Sequence, residues 1–413
     1  MKKFLAILLL LPSFAFPDEV ETYLNERPIF AKATQRVVEY LPTFGAASGL
    51  LSQWEVVRTV LKTNITADAG GLRVSSVIYD RDGVIRVYYA GYTNSISGGV
   101  NTGGTVVGAF GPTWDELERY GTVIARGTNG TWDSGNIGSA RIYRFDDSGT
   151  NYLYYFATTN TGFETGWQGC GVAYTTDGTN FTKYSGNPIL NVGTNGTWDA
   201  VAIQGAQCVI KYLGRYYMFF SGKNAGGDES LGLAFADSPL GPWRKYTENP
   251  VLNVTGIAVE PNVFRLADGQ GWGCLFGDGA YTQYAISPDL TNWTAQSTIY
   301  YDDPGFGIGD GQGAPGTGLS PFIFEDNGPA ILLDDSATIF LLRPKQSQPM
   351  AKLRGWFYGN VEASSLYATN FLALRTNYVA ANFAPESGIV KFVGSNNAVF
   401  AVSRTKTNLI SAP

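Results

Sequence analysis

Five acids recur at similar distances ahead of a turn glycine. Asp68, Asp133, Asp199, Glu260 and Asp310 lie 15, 16, 15, 9 and 18 residues before Gly83, Gly149, Gly214, Gly269 and Gly328. Two of them close the same heptapeptide, Gly-Thr-Asn-Gly-Thr-Trp-Asp, at 127–133 and again at 193–199. Chance does not repeat seven residues in a chain of 413, so the chain is built from units. A unit that delivers a carboxylate to an equivalent place each time gathers acids around an axis. Crowded carboxyls push their pKa values apart, one staying ionised while another keeps a proton. Acid-assisted cleavage of a glycosidic bond uses that split: one acid protonates the leaving oxygen, and the other activates water or attacks carbon.

The chain has no histidine. Every Ser-His or Cys-His catalytic system, every imidazole base and every histidine-based zinc site is thereby excluded. Cys170, Cys208 and Cys274 share no metal-ligand spacing; they read as buried apolar thiols, with one disulfide plus a leftover as the alternative. No metal and no cofactor is expected. A net charge of −6 argues against nucleic acid or an anionic membrane as partner.

The acids need elements to position them, and a second pattern runs in phase with them. Apolar runs flank tight turns in Val77-Ile78-Tyr79/Val87-Tyr88-Tyr89, Ile142-Tyr143/Leu153-Tyr154-Tyr155 and Val209-Ile210/Tyr216-Tyr217-Met218. The same design continues in Val263-Phe264/Cys274-Leu275-Phe276 and Phe322-Ile323-Phe324/Ile331-Leu332-Leu333. Glycine between β-rich runs signals a hairpin, because two-residue turns need positive φ. The turn glycines are spaced 66, 65, 55 and 59, giving five units of about 60 residues. Asn187-Pro188-Ile189-Leu190-Asn191 and Asn249-Pro250-Val251-Leu252-Asn253 close two units, and Ser287–Trp293 reads as a weaker third ending. Each unit then supplies about four short strands. Such units close into a ring as the blades of a propeller, and the expected fold is an all-β, five-bladed β-propeller over 67–345.

Flanking segments complete the expected organisation. Residues 1–15, with Lys2, Lys3 and the apolar run Phe4–Leu11, have the anatomy of a secretory signal. The apolar run is short for a bilayer span, which needs roughly 20 residues. Residues 16–66 form an N-terminal segment mixing a helix over Val20–Tyr40 with strand-like Trp54–Leu61. Residues 346–413 form a β-rich tail with a hairpin across Gly394–Asn397. A secreted or periplasmic monomer, without stable membrane insertion, is expected; a virion is the alternative.

Five blades, the Asn-Pro-(Ile/Val)-Leu endings and the strand Tyr216-Tyr217-Met218-Phe219-Phe220-Ser221-Gly222 resemble the five-bladed propeller glycosidases of families 43, 32, 62, 117 and 130. The resemblance implies a carbohydrate substrate and a triad on successive blades: an Asp base or nucleophile, an orienting Asp and a Glu general acid. Glu260, in Val259-Glu260-Pro261, resembles the segment carrying the acid, with Asp133 and Asp199 on the two preceding blades. The match is incomplete. Family 43 sets its Asp directly before Pro at the strand start, whereas these strands begin Ser139-Ala140 and Ala206-Gln207. A frame shifted by one blade would use Asp68, Asp133 and Asp199. Asp68, Asp310, Trp132, Trp198 and Trp167, the last in the loop Thr161–Gly171, are the expected sugar contacts. Asp133 and Asp199 have a structural alternative as turn caps, and Trp132 and Trp198 as packing between blades. Two rival functions stay open: a non-catalytic carbohydrate-binding propeller, and a family-130-like phosphorylase using Arg141 and Lys223 to hold phosphate.

Overall fold

The structure, a computed structural model, describes residues 43–44, most of 54–344 and three strands within 389–410. The longest stretches left out inside 54–344 are 160–167 and 303–319. The helix expected over Val20–Tyr40 and the signal segment lie outside the described residues.

The fold is an all-β, five-bladed propeller. Blade 1 runs from its inner strand Gly71–Tyr79 through Ile85–Tyr92 and Thr105–Gly111 to an outer strand, Glu118–Ile124. Blade 2 is Asn136–Arg144, Asn151–Thr158, Gln168–Thr175 and Thr182–Lys183. Blade 3 is Ala202–Tyr212, Arg215–Lys223, Glu229–Ala236 and Arg244–Lys245. Blade 4 is Val259–Leu266, Trp272–Gly277, Thr282–Ser287 and Thr294–Thr298. Blade 5 has Phe322–Glu325, Pro329–Asp334 and Thr338–Pro344, and takes its outer strand, Trp54–Lys62, from the beginning of the described chain. That strand pairs antiparallel with Thr338–Pro344 and ties the two ends of the ring together. The ring thus reaches back beyond position 67 and includes Trp54–Leu61, which the turn spacing leaves in the N-terminal segment. Strand-like composition identifies the element, but nothing local tells it which distant blade it completes.

The inner strands are neighbours around the ring, each touching the next and blade 5 touching blade 1. Between the blades lie five apolar clusters, one at each junction. Between blades 2 and 3, for example, Tyr154, Cys170 and Val172 meet Val209, Met218 and Phe220. Phe264, Leu275 and Tyr284 meet Ile331 and Phe340 between blades 4 and 5. Each fully buried large side chain of this kind contributes about 1.5–3 kcal/mol, so the junctions rather than a single centre hold the ring together. All three cysteines are free buried thiols in this packing, and burial raises the Cys208 thiol to about 11.

The turn glycines Gly83, Gly149 and Gly214 have φ of 79°, 83° and 80°, the left-handed geometry that tight hairpins demand. Gly269 and Gly328 fall outside the described residues. In the blade endings, Asn187 and Asn249 work alike. Each side-chain amide accepts from and donates to one backbone residue of a third strand, Val172 and Leu233 respectively, and so stands in for a missing strand partner. The tail, a unit separate from the ring, carries an antiparallel sheet of Ile389–Val393, Val399–Ser403 and Lys406–Ile410.

Candidate active site at the channel mouth

The heptapeptide repeat builds the same object twice. The Thr131 hydroxyl donates to the Thr128 carbonyl and to Asp133 Oδ1; Thr197 does the same for Thr194 and Asp199. Gly130 and Gly196 take φ of 93° and 92°. A Cβ on Gly127 or Gly193 would run into Oδ1 of the respective aspartate, so only glycine fits there. Trp132 stacks on Tyr155, and Trp198 lies against Phe220, each over a glycine of its own blade. The second carboxylate oxygen of Asp133 is ion-paired with Lys183, and that of Asp199 with Lys245. Both lysines sit on the outermost strand of the blade. Asp68 repeats the arrangement in blade 1, where it is wholly buried and accepts from Asn64 N–H, the Tyr89 hydroxyl and Nε of Arg119 on the outer strand.

These three aspartates each stand three residues before an inner strand. They fasten the incoming loop to the far edge of its own blade. Their carboxylate oxygens are spent on lysine, arginine and hydroxyl donors, and Trp132 and Trp198 pack on strand faces. Asp68, Asp133, Asp199, Trp132 and Trp198 thus make contacts that join loop and blade. Asp310 and Trp167 lie outside the described residues.

Glu260 belongs to a different series. It lies within the inner strand of blade 4, at a β-bulge where the register to the next strand shifts between Val259 and Asn262. Equivalent shifts interrupt the inner strands of blade 1 between Arg73 and Ser76, of blade 2 opposite Tyr154 and Phe156, and of blade 3 between Gln204 and Cys208. At three of these bulges a non-glycine residue has positive φ: Val74 at 53°, Ser139 at 52° and Glu260 at 59°. Such backbone costs about 1–3 kcal/mol per residue and persists where surroundings over-determine it, often at functional sites. The bulges lie toward the N-terminal ends of the inner strands, and Asp334, Tyr92 and Lys223 end second strands at that same end of the ring. The strand topology therefore brings Arg73, Glu260 and Asp334 to one mouth of the channel.

The electrostatics agree. Burial lifts the Glu260 carboxyl from 4.5 to about 7, with Arg141 and Arg73 pulling it down and Glu229 pushing it up. Asp334 is wholly buried, and burial, with Glu260 beside it, raises its carboxyl well above the ordinary range. Its Oδ2 accepts the Val74 N–H at 3.0 Å, which pins the blade 1 bulge. The Glu260 N–H donates to Ser221 Oγ at 3.1 Å. Arg141, also wholly buried, donates to the carbonyls of Ser75 and Pro321 at 3.0 and 2.9 Å and lies 5.0 Å from the centre of the Phe322 ring, joining blades 1, 2 and 5. Glu229 faces Lys223 at 3.3 Å.

Five buried polar atoms at this mouth have no hydrogen-bond partner among the described residues: Glu260 Oε2, Asp334 Oδ1, Ser75 Oγ and the Nε atoms of Arg73 and Arg141. Unpaired buried groups each cost about 1–3 kcal/mol, so two carboxyl and two guanidinium atoms left unpaired together make this mouth the candidate site. Glu260 keeps part of its surface exposed although its Oε2 is buried, whereas Asp334 is wholly enclosed. Glu260 is therefore the more accessible acid of the pair. Of the sequence-expected triad, Glu260 lies within an inner strand, whereas Asp133 and Asp199 precede theirs and pair with outer-strand lysines. Neither Asp334 nor Arg73 sits in the repeated heptapeptide, so the repeat does not point to them. The one signal was a charged residue inside an apolar strand, Leu72-Arg73-Val74.

Comparison with known proteins agrees with the fold. No family model matches the chain. A family 117 glycoside hydrolase of the marine bacterium Zobellia galactanivorans superposes with a TM-score of 0.56 at 21% identity, over 75% of this chain and 96% of that one. A structure from the GH130 family of mannoside phosphorylases, which contains hydrolases targeting β-1,2 mannosidic linkages in Candida mannan, gives 0.54 at 14% identity, over 76% and 98%. In sequence, the chain is 27% identical over 203 residues to an arabinoxylan arabinofuranohydrolase of Bacillus subtilis strain 168. That match takes in 46% of this chain and spans 37% of the relative's length. The class these likenesses define is the five-bladed propeller common to several glycoside hydrolase families.

Proposed function

We propose that the protein is a glycoside hydrolase acting on a poly- or oligosaccharide at the channel mouth, with Glu260 as general acid. The observation that carries the reading is a carboxyl lifted to about 7 by burial, on a residue still partly exposed, beside a second buried carboxyl in the channel of a propeller. Support comes also from the relative that is an arabinofuranohydrolase. Near neutral pH Glu260 holds a proton for part of the time. It passes that proton to the glycosidic oxygen as the bond to the anomeric carbon breaks, and water supplies the new oxygen on carbon. Hydrolysis needs a second carboxylate; Asp334 and Glu229 are the two carboxyls coupled to Glu260. The reading includes export through residues 1–15 and action as a monomer.

The test is Glu260→Gln, which is nearly isosteric. It should slow natural glycosides by about 10²–10⁴-fold, the usual worth of general acid catalysis. Activated aryl glycosides, whose leaving oxygen hardly needs a proton, should lose far less. Rescue by azide of Asp334→Ala or Glu229→Ala identifies the second carboxylate. Equal damage to both substrate types removes Glu260 from the acid role. Binding without turnover of any glycoside by the wild type favours a carbohydrate-binding propeller instead.

A further inference from the structure

The charge of Arg73 lowers the proton affinity of Glu260, but among the described residues its guanidinium bonds to neither carboxyl of the pair. It lies beside the bulge residue Val74 on the inner strand of blade 1, at the mouth that Glu260 and Asp334 share. It is partly exposed, its Nε is buried without a partner, and no ion pair or hydrogen bond of its guanidinium occurs among the described residues. Five other basic groups of the blades are occupied. Arg119, Lys183 and Lys245 fasten aspartates, Lys223 faces Glu229, and Arg141 spends two nitrogens on carbonyls. A guanidinium is weakly hydrated and presents a planar fork of donors suited to carboxylate or sulfate. Balancing the nearby acids does not use that fork, since neither carboxyl bonds to it.

We propose that Arg73 is a specificity-determining residue that recognises an anionic substituent, the carboxylate of a uronic acid or a sulfate ester, on the sugar at the channel mouth. The inference rests on the hydrolase reading only for the location of the sugar. It concerns binding, and so can be tested apart from turnover.

The experiment measures binding of the full chain by calorimetry to paired probes. One pair is oligogalacturonides and their carboxyl-reduced counterparts; the other is sulfated galactan oligosaccharides and their desulfated counterparts. One charged member should bind at least about 10-fold more tightly than its neutral partner, and which one does so distinguishes carboxylate from sulfate. Arg73→Gln should remove about 10–100-fold of that preference, the worth of a charge-assisted pair, while Arg73→Lys keeps part of it. Unchanged thermal melting of both variants separates this from misfolding. Equal binding of charged and neutral members, no binding of any charged probe at millimolar concentration, or an unchanged preference in Arg73→Gln would overturn the proposal. So would inorganic phosphate that accelerates glycoside cleavage and loses its effect in Arg73→Gln. Cleavage of neutral glycosides alone would sink this proposal and leave the hydrolase standing. Selective binding of an anionic probe without cleavage would do the reverse.

Discussion

Two sets of acids lie on this ring, and they have opposite fates. Asp68, Asp133 and Asp199 are buried and fully engaged with Arg119, Lys183, Lys245 and neighbouring hydroxyls at the blade edges. Glu260 and Asp334 are also held in the protein, but each keeps one carboxyl oxygen without a partner among the described residues. The first set is repeated, because a blade needs its incoming loop fastened. The second is not, because a ligand needs only one mouth. In this ring the repeated acids serve architecture, and the acid that departs from the repeat is the one proposed for chemistry. Blade 4 illustrates this, carrying Gly256 where the fastening aspartate would stand and Glu260 at the bulge.

The largest expected effect that separates the sets is in turnover, where Glu260→Gln should be crippling for natural glycosides. Replacing Asp199 by Asn should instead leave the turnover of folded molecules within about twofold, because Thr197 and Lys245 engage both of its carboxylate oxygens. If Asp199→Asn abolishes turnover at unchanged melting temperature, the contrast between the two sets fails.

Next in size is the pH dependence of stability. The folded-state pKa of Glu260, about 7, is above its ordinary 4.5. Its protonated form is the one the fold favours, so its contribution is fully present below about 4.5 and is lost as pH rises through 7. The loss is at most about 3 kcal/mol by linkage. Glu260→Gln should therefore stabilise the protein at pH 8 more than at pH 5, read by thermal melting at both values. In activity, the same proton gives an alkaline limb near 7, with the small temperature dependence of a carboxyl, since the chain has no imidazole.

Stability at the blade edge comes third. Asp199→Ala leaves Lys245 without its partner. Because that lysine is 27% exposed, the loss should fall below the 3–5 kcal/mol of a fully buried pair, at about 1–3 kcal/mol. Denaturant melts of the single variants and of Asp199→Ala with Lys245→Ala should show coupling; strict additivity would mean the pair does not fasten the blade. The smallest effect is expected for Asn249→Ala, which frees the backbone N–H and carbonyl of Leu233 and should cost about 1–2 kcal/mol. No change in the melt would show water replacing the amide at that edge.

Whatever is local was legible in the chain alone. Turn glycines between apolar runs specified the hairpins, their spacing specified five units, and the lack of histidine confined proton transfer chiefly to carboxyls. Even the heptapeptide was readable as a repeated structural unit, since nearly every one of its residues serves the same loop. Which side of the unit faces the channel was not written there. Asp133 and Asp199 look equally suited to fastening and to catalysis until Lys183 and Lys245, some fifty residues on, are seen against them. Trp54–Lys62 likewise completes a sheet whose other strands come nearly three hundred residues later. The mouth itself is assembled from all five blades, and the high proton affinities of Glu260 and Asp334 arise from burial that only the closed ring creates. Desolvation and charge coupling depend on distance in space, and the separation of Arg73 from Asp334 along the chain carries no trace of it.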